Sequence, residues 1–293
     1  MSISPSETDF IIKGIDADMR LDGRGRLDYR PIYIETGLLP HASGSARVQL
    51  GDGIDVVVGI KAETHQINPT SDNQDSGLIF VDVECSPSSS QSFEGRGADS
   101  LNAELAQILE RILSGPQGGL DLQKLCIIPG KACWCIYIDA LVLGMGGNLV
   151  DALSYATHAA LAETKLPATV IEDVGQGNME FELDADDSKS MNLPGYENVP
   201  VIVTLSKIGS RYVADCSIME ELCADAVIYV GVNKAGKLCG VQKSASHSID
   251  PSMLIEMLST AQDVGLRAIK GLDSRLKTEF SSVKDLSQGG FLA

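Results

Sequence analysis

Basic residues are scarce in this chain. Its 293 residues include 23 lysines and arginines against 40 aspartates and glutamates, a formal net charge of −17. Nucleic-acid affinity comes mainly from neutralising the phosphate backbone, so this balance argues against a stand-alone nucleic-acid binder. Contact with RNA would need a local basic strip or a surface shared with another chain. Long apolar runs are also missing: no stretch of eighteen apolar residues occurs, and no membrane-spanning helix is expected. Ser2 to Asp18 is acidic and without the apolar run of a secretory leader, so a soluble intracellular protein is expected.

Histidine is sparse as well. The four (His41, His65, His158, His247) have neither a paired metal spacing nor the partners of a catalytic triad, and read as lone surface or loop residues. The seven cysteines (85, 126, 133, 135, 216, 223, 239) are an odd set, mostly within apolar runs, as expected of buried reduced thiols. Cys133-Trp134-Cys135 has the wrong spacing for a zinc knuckle, and strand alternation puts both thiols on one face. No metal and no cofactor is expected.

What the chain does have is a strand from Cys133 to Leu143 that empties into Gly144-Met145-Gly146-Gly147-Asn148, followed at once by a helical pattern (Leu149, Ala152, Leu153, Ala156, Ala159, Ala160). Helix N-termini present unpaired N–H groups and the positive end of the macrodipole, and glycines let a phosphate approach them. Two glycine motifs fail here. A dinucleotide fingerprint would need glycine at Leu149, and a P-loop would need Gly-Lys-Ser/Thr. By the turn alone, a close-packed strand-to-helix junction outweighs a phosphate site.

Along the chain, a short helix is predicted from about Ser6 to Ile15, capped by Ser6 with Asp9 three residues on. The charged turn Arg20-Leu21-Asp22-Gly23-Arg24 follows, and Tyr29-Arg30-Pro31-Ile32 opens the first strand. Strands are predicted at 32–36, 45–50, 54–62 and 78–85, then a helix from about Ser100 to Leu113 that stops in the glycine-rich 114–119. The second half offers strands at 168–172, 179–183, 199–206, 211–217, 226–232 and 236–243. It closes with an amphipathic helix from about Pro251 to Lys277. Glu182 to Asn192 reads as an acidic, solvated loop. Each half thus carries several strands and then a long helix, which predicts two sheets with helices between or beside them in one α+β (α/β) unit.

The ordered series Arg20-Leu-Asp-Gly-Arg24, Ser43-Gly-Ser-Ala-Arg47-Val, Phe93-Glu-Gly-Arg-Gly97, Leu141 to Asn148, Glu197-Asn-Val-Pro200 and Gly290-Phe-Leu-Ala293 resembles the RNase PH family, and within it the ring subunits of the eukaryotic RNA exosome. The resemblance implies an RNase PH-like fold of duplicated βαβα-type units, with an N-terminal helix or arm at 1–19 and one domain at 20–293 made of two halves, about 20–165 and 166–293. It also implies a ring of related domains through which single-stranded RNA passes. Partners would be other RNase PH-like ring subunits, RNA-binding cap subunits and an associated nuclease, in nucleus, nucleolus and cytoplasm, with no membrane.

Active members of the family degrade RNA by phosphorolysis, which asks for cations around a phosphate and carboxylates around a divalent metal. Where those members carry Thr-Arg after the double glycine Gly146-Gly147, this chain has Asn148-Leu149. Losing one charge-assisted contact of that kind costs roughly 1.5–3 kcal/mol. The phosphate site is therefore expected to be degenerate. Asp215 matches the first metal carboxylate, while the second falls at Met219, which cannot serve a hard cation. Glu220 or Glu221 could substitute only if the strand slips in register. Arg111, on the 100–113 helix, matches a helix whose arginines face RNA in the family; Arg96, in a glycine-flanked loop, is a second RNA-binding candidate. Arg24 and Arg47 are as readily structural ion pairs. The expectation is a non-catalytic ring subunit; its rivals are an active phosphate-dependent 3′-to-5′ exoribonuclease, alone or through a site shared with a neighbour, and a ring-like domain with no RNA role.

Overall fold

The computed structural model describes residues 3–67, 75–90, 93–115, 120–173, 179–184, 186, 189–244 and 247–288; residues 173, 179 and 279–288 are described in backbone only. The glycine-rich stop at 116–119 and the terminal Gly290 to Ala293 lie outside them.

Helix α1 (Pro5–Asp16) starts earlier than the sequence predicts. Ser4, not Ser6, is the cap: its Oγ accepts from the Glu7 amide at 3.3 Å while Glu7 Oε2 accepts from the Ser4 amide at 2.9 Å. Pro5 has no N–H to leave unpaired, so it takes the first helical position and the reciprocal box forms two residues sooner. The helix does not stand free. Ile11 and Ile15 are buried against Ile208, Val213, Cys216 and Cys223 of the second half.

The first sheet consists of β1 (Ile32–Thr36), β2 (Gly44–Leu50), β3 (Ile54–Gln66), β4 (Leu78–Cys85), β5 (Cys126–Ile128) and β6 (Ala132–Gly144), in the order β1-β2-β3-β6-β4 with β5 paired to β6. Only β4 runs parallel to its neighbour β6. The crossover between them carries helix α2 (Asp99–Leu113). In β3 the even residues Ile54, Val56, Val58 and Ile60 are buried on one face, as strict alternation requires.

Helix α3 (Leu149–Glu163) lies against that face. Every residue from Leu149 to Leu161 is buried, including the polar Asp151, Ser154 and Thr157 and also His158, which the sequence predicts at the surface, so α3 is covered on all sides. Its other side meets the second sheet, formed by β11 (Val201–Ile208), β12 (Arg211–Ala214), β13 (Ala226–Val232) and β14 (Leu238–Lys243) in the order β12-β11-β13-β14. Helix α5 (Pro251–Gln288) covers the far face of that sheet through Met257, Ala261 and Val264. It runs eleven residues past the predicted end at Lys277. Sheet, helix, sheet and helix therefore stack as layers with apolar clusters packed between them, the α+β unit that the sequence predicts.

Two short pairs lie apart: β7 (Lys165–Leu166) with β10 (Met191–Asn192), which closes the end of the acidic loop, and β8 (Thr169–Asp173) with β9 (Met179–Leu183). The strand predicted over 211–217 stops at Ala214. Asp215 turns left-handed, with φ of 47°, and Ser217 caps a single helical turn, α4 (Ile218–Glu221).

Candidate functional site

The glycine turn is built by close approach. A Cβ on Gly146 would sit 2.8 Å from the Gly53 carbonyl carbon, and one on Gly147, whose φ is +82°, would sit 2.7 Å from the Cys216 oxygen. The turn is therefore pressed between the β2–β3 hairpin and the segment that follows β12, and only glycine fits there. Asn148 then adopts the left-handed region, with φ of 60°, and opens α3.

The first amide of this helix start is already engaged within the chain. The Asn148 amide donates to Glu221 Oε1 at 2.5 Å, so a carboxylate carried by α4 faces the positive end of the helix. Burial raises the Glu221 carboxyl above its ordinary value, against the opposing pull of the Asn148 amide and of Arg30. The Asn148 side chain bridges two further acids: Nδ2 donates to Asp151 Oδ2 at 3.0 Å and to Asp215 Oδ1 at 3.1 Å. Leu149 turns into the core and offers the turn no polar group.

Asp215 is a hub. Arg30 donates to it from Nε at 2.9 Å and Nη2 at 2.6 Å as well as from its backbone amide at 2.8 Å, and Arg24 donates from Nη1 at 2.6 Å. The same Arg30 guanidinium donates to the Gly146 and Gly147 carbonyls at 2.8 and 3.0 Å, locking the turn to the segment opposite. Burial opposes ionisation of Asp215, yet Arg30 and Asn148 outweigh it and hold the carboxyl below its ordinary value. Beneath this layer Arg20, itself buried, forks onto Glu220 at 2.9 and 2.7 Å and donates to the Asp215 carbonyl at 2.8 Å. Glu220 also accepts from the Ser217 amide at 2.8 Å, which fixes α4. A fork of this kind supplies geometric specificity as well as charge.

Asp151, on the first turn of α3, is fully buried and accepts from Thr204 Oγ1 and Tyr29 OH, both at 2.6 Å. Burial pushes its carboxyl up to about 7 even though these hydrogen bonds pull the other way.

The structure thus joins the expected phosphate-turn residues Gly146, Gly147 and Asn148 to Asp215, but leaves Met219 out. Met219 packs with Ile3, Ile12 and Ala224 on the apolar cluster under α1. A divalent metal does not fit this arrangement. Both Asp215 oxygens are taken by arginines and an amide, the position two helical residues before Glu221 is a thioether in an apolar cluster, and among the described residues no group of three His, Cys, Asp or Glu is placed to hold an ion. The strand-register condition set for Glu220 and Glu221 does not apply, because both lie on a helical turn and both already carry partners.

Arg111 and Arg96 lie elsewhere. Arg111 is exposed on α2 and donates to Gln242 of β14 at 3.2 Å, rather than to a neighbour on its own helix. Arg96 is exposed in the turn before α2, beside left-handed Gly95, and no hydrogen bond or ion pair holds its side chain among the described residues. Arg47 forks onto Asp55 at 2.9 and 2.7 Å. Sequence reasoning missed Arg30 and Asp151, and named Glu221 only as a conditional metal ligand. One signal was available: four arginines (20, 24, 26, 30) fall within eleven residues of a chain poor in basic groups.

Comparison with known proteins agrees with this architecture. Residues 28–167 match domain 1 of the 3′ exoribonuclease family, RNase PH, and residues 198–264 match its domain 2. A putative exosome complex exonuclease RRP42 from Dictyostelium discoideum is 38% identical, over 94% of this chain and 98% of its own length. The exosome complex component Rrp42 of Sulfurisphaera tokodaii is 35% identical, over 96% of this chain and all of its own. Among solved structures, the Archaeoglobus fulgidus exosome with RNA bound to the active site superposes with a TM-score of 0.77 at 30% identity, covering 91% of this chain and 97% of that one. Rice Rrp46, at 16% identity and a TM-score of 0.62, shares the fold. With both family domains matched in order and relatives similar over nearly their full length, the chain belongs to the RNase PH family of 3′ exoribonucleases and is a homologue of Rrp42 exosome components.

Proposed function

We propose that the chain is a non-catalytic subunit of an exosome core ring, one that shapes and supports a path for single-stranded RNA while another subunit performs the chemistry. One observation carries the reading. At the strand, glycine turn and helix start that has the form of a phosphate site, the helix-end amide is held by Glu221, and the nearby Asp215 is saturated by Arg24, Arg30 and Asn148. A phosphate arriving there would meet a carboxylate instead of an arginine, and like charges at contact repel even where solvent screens them. The named relatives are exosome components, and the superposed archaeal assembly holds RNA, which supports placement in a ring with related subunits. Arg111 and Arg96 are the basic groups offered to RNA, through phosphate contacts that position without reading sequence. Cap subunits, an associated nuclease, and residence in nucleus, nucleolus and cytoplasm belong to the same proposal.

The test is phosphorolysis. Purified chain, and a reconstituted ring in which the neighbouring subunits' own sites are disabled, are incubated with magnesium, phosphate and a labelled oligonucleotide. No nucleoside diphosphate is expected from either. Release by the isolated chain would overturn the reading in favour of an active exoribonuclease, and release by the ring alone would establish a site shared across subunits.

A further inference from the structure

Among the described residues the β8–β9 ribbon pairs with no other strand. Val170 opposes Glu182 and Glu172 opposes Glu180, which puts these four side chains on one side; Thr169 opposes Leu183 and Ile171 opposes Phe181 on the other. The first side is acidic, with two glutamates directly across from each other, an arrangement that destabilises an isolated pair of strands. Between Lys165 and Lys189 the sequence has seven acidic residues and no basic one, and among the described residues no lysine or arginine pairs with Glu172, Glu180 or Glu182. The second side is apolar and half uncovered: Ile171 is 49% exposed and Leu183 47%. Phe181 and Glu180 line a cleft of about 480 Å³ whose opposite wall is Gln66, Ile67 and the turn at Gly130 and Lys131.

A two-stranded ribbon with uncovered apolar residues and facing carboxylates is marginal in water, and its open edges present backbone donors and acceptors to any strand that can pair with them. We propose that this ribbon is a docking arm for an extended segment of another protein chain, one alternating basic and apolar residues and added as a third strand. Its lysines or arginines would meet Glu172, Glu180 and Glu182, its apolar residues would cover Ile171 and Leu183, and main-chain hydrogen bonds would set the register. RNA does not fit, because the charged groups on the ribbon's outer side, Glu172, Glu180 and Glu182, are all carboxylates. The inference does not depend on whether the glycine turn is catalytic, so its failure and that of the ring reading are separate events.

The full chain is titrated with a labelled peptide, Lys-Val-Lys-Ile-Lys-Val-Lys, and with a block peptide of the same composition. The alternating peptide is expected to bind at least about ten-fold more tightly. It should slow hydrogen exchange within 169–173 or 179–183, and carbodiimide should couple its lysines to Glu172, Glu180 or Glu182. Glu180→Lys with Glu182→Lys should remove at least about ten-fold of the affinity, whereas Glu94→Lys with Asp263→Lys, the same charge change at exposed sites off the ribbon, should not. Equal binding of the two peptides, indifference to the ribbon substitutions, or coupling only to other carboxylates would overturn the proposal. Self-association through the ribbon would also overturn it, by showing a second copy of this chain to be the occupant.

Discussion

Asn148 and Asp215, 67 residues apart, both hold left-handed backbone, with φ of 60° and 47°, and are joined by a 3.1 Å hydrogen bond from Nδ2 to Oδ1. Each conformation is costly for a residue with a Cβ, least so for asparagine and aspartate. The bond ties the turn that opens α3 to the turn that ends β12, so each strained residue holds the other in place.

Asn148→Ala should therefore be worse than Asn148→Gly. Both lose the bridge to Asp151 and Asp215, but glycine accepts the left-handed backbone freely while alanine adds roughly 1 kcal/mol of strain. Urea denaturation of the two variants should show that order. A reversed order would mean the helix start relaxes to another conformation.

The buried fork between Arg20 and Glu220 makes a second case. Glu220→Gln should cost about 3–5 kcal/mol because it leaves a buried guanidinium without its counter-charge, and removing both charges together, Arg20→Met with Glu220→Met, should cost less than the single change. Chemical denaturation of the single and the double variant measures this directly.

The strands and helices were largely legible because their signals are local. The alternation of Ile54, Val56, Val58 and Ile60 marks β3, and the glycine turn with its following alanines marks α3. The site was less legible because its partners are far apart in sequence. Val213, Ala214 and Cys216 look like a continuing strand, and what ends it is Asp215 held by Arg24 and Arg30, 191 and 185 residues away. Glu221 presented itself only as half of an acidic pair until the fold set it on the Asn148 amide. The arginine-dense stretch could be seen as dense, but its partners could not be read from spacing.

Stability should depend on pH through Asp151. Its folded carboxyl, pushed up to about 7 by burial, keeps a proton that the unfolded chain has released above its ordinary value of 3.8. Between these limits the folded state binds more protons, so this group's contribution to stability falls as pH rises from about 4 to 7, by up to roughly 1.4 kcal/mol per pH unit, and levels off above. Asp151→Asn should abolish that slope. Parallel urea titrations of both proteins across this range provide the check, and an unchanged difference between them would show that Asp151 is charged throughout.

Grafting the active-family residues should not create an enzyme. Asn148→Thr with Leu149→Arg buries a guanidinium where Leu149 is 7% exposed and leaves Glu221 at the helix end, so the variant should be destabilised and should release no nucleoside diphosphate. Phosphorolysis by this variant would show that the turn opens more readily than its contacts suggest.

Arg111→Glu should leave stability within about 0.5 kcal/mol, since the side chain is exposed and its partner is the neutral Gln242. In an assembled ring the same change should weaken RNA crosslinking to α2. Unchanged crosslinking there would remove Arg111 from the RNA path.

The burial of α3 on every side has a consequence for how the chain can be divided. The family description splits it after residue 167, yet the helix just before that cut is the shared wall of both sheets. Cut there, the first fragment would expose the side of α3 that β11 covers, leaving Asp151 and Ser154 without Thr204 and the Ile202 amide, and the second would lose the surface its sheet condenses on. Neither piece is then a self-sufficient module. Co-expressed, the two should recombine as complementary fragments, which makes this fold one cooperative unit written in two sequence halves.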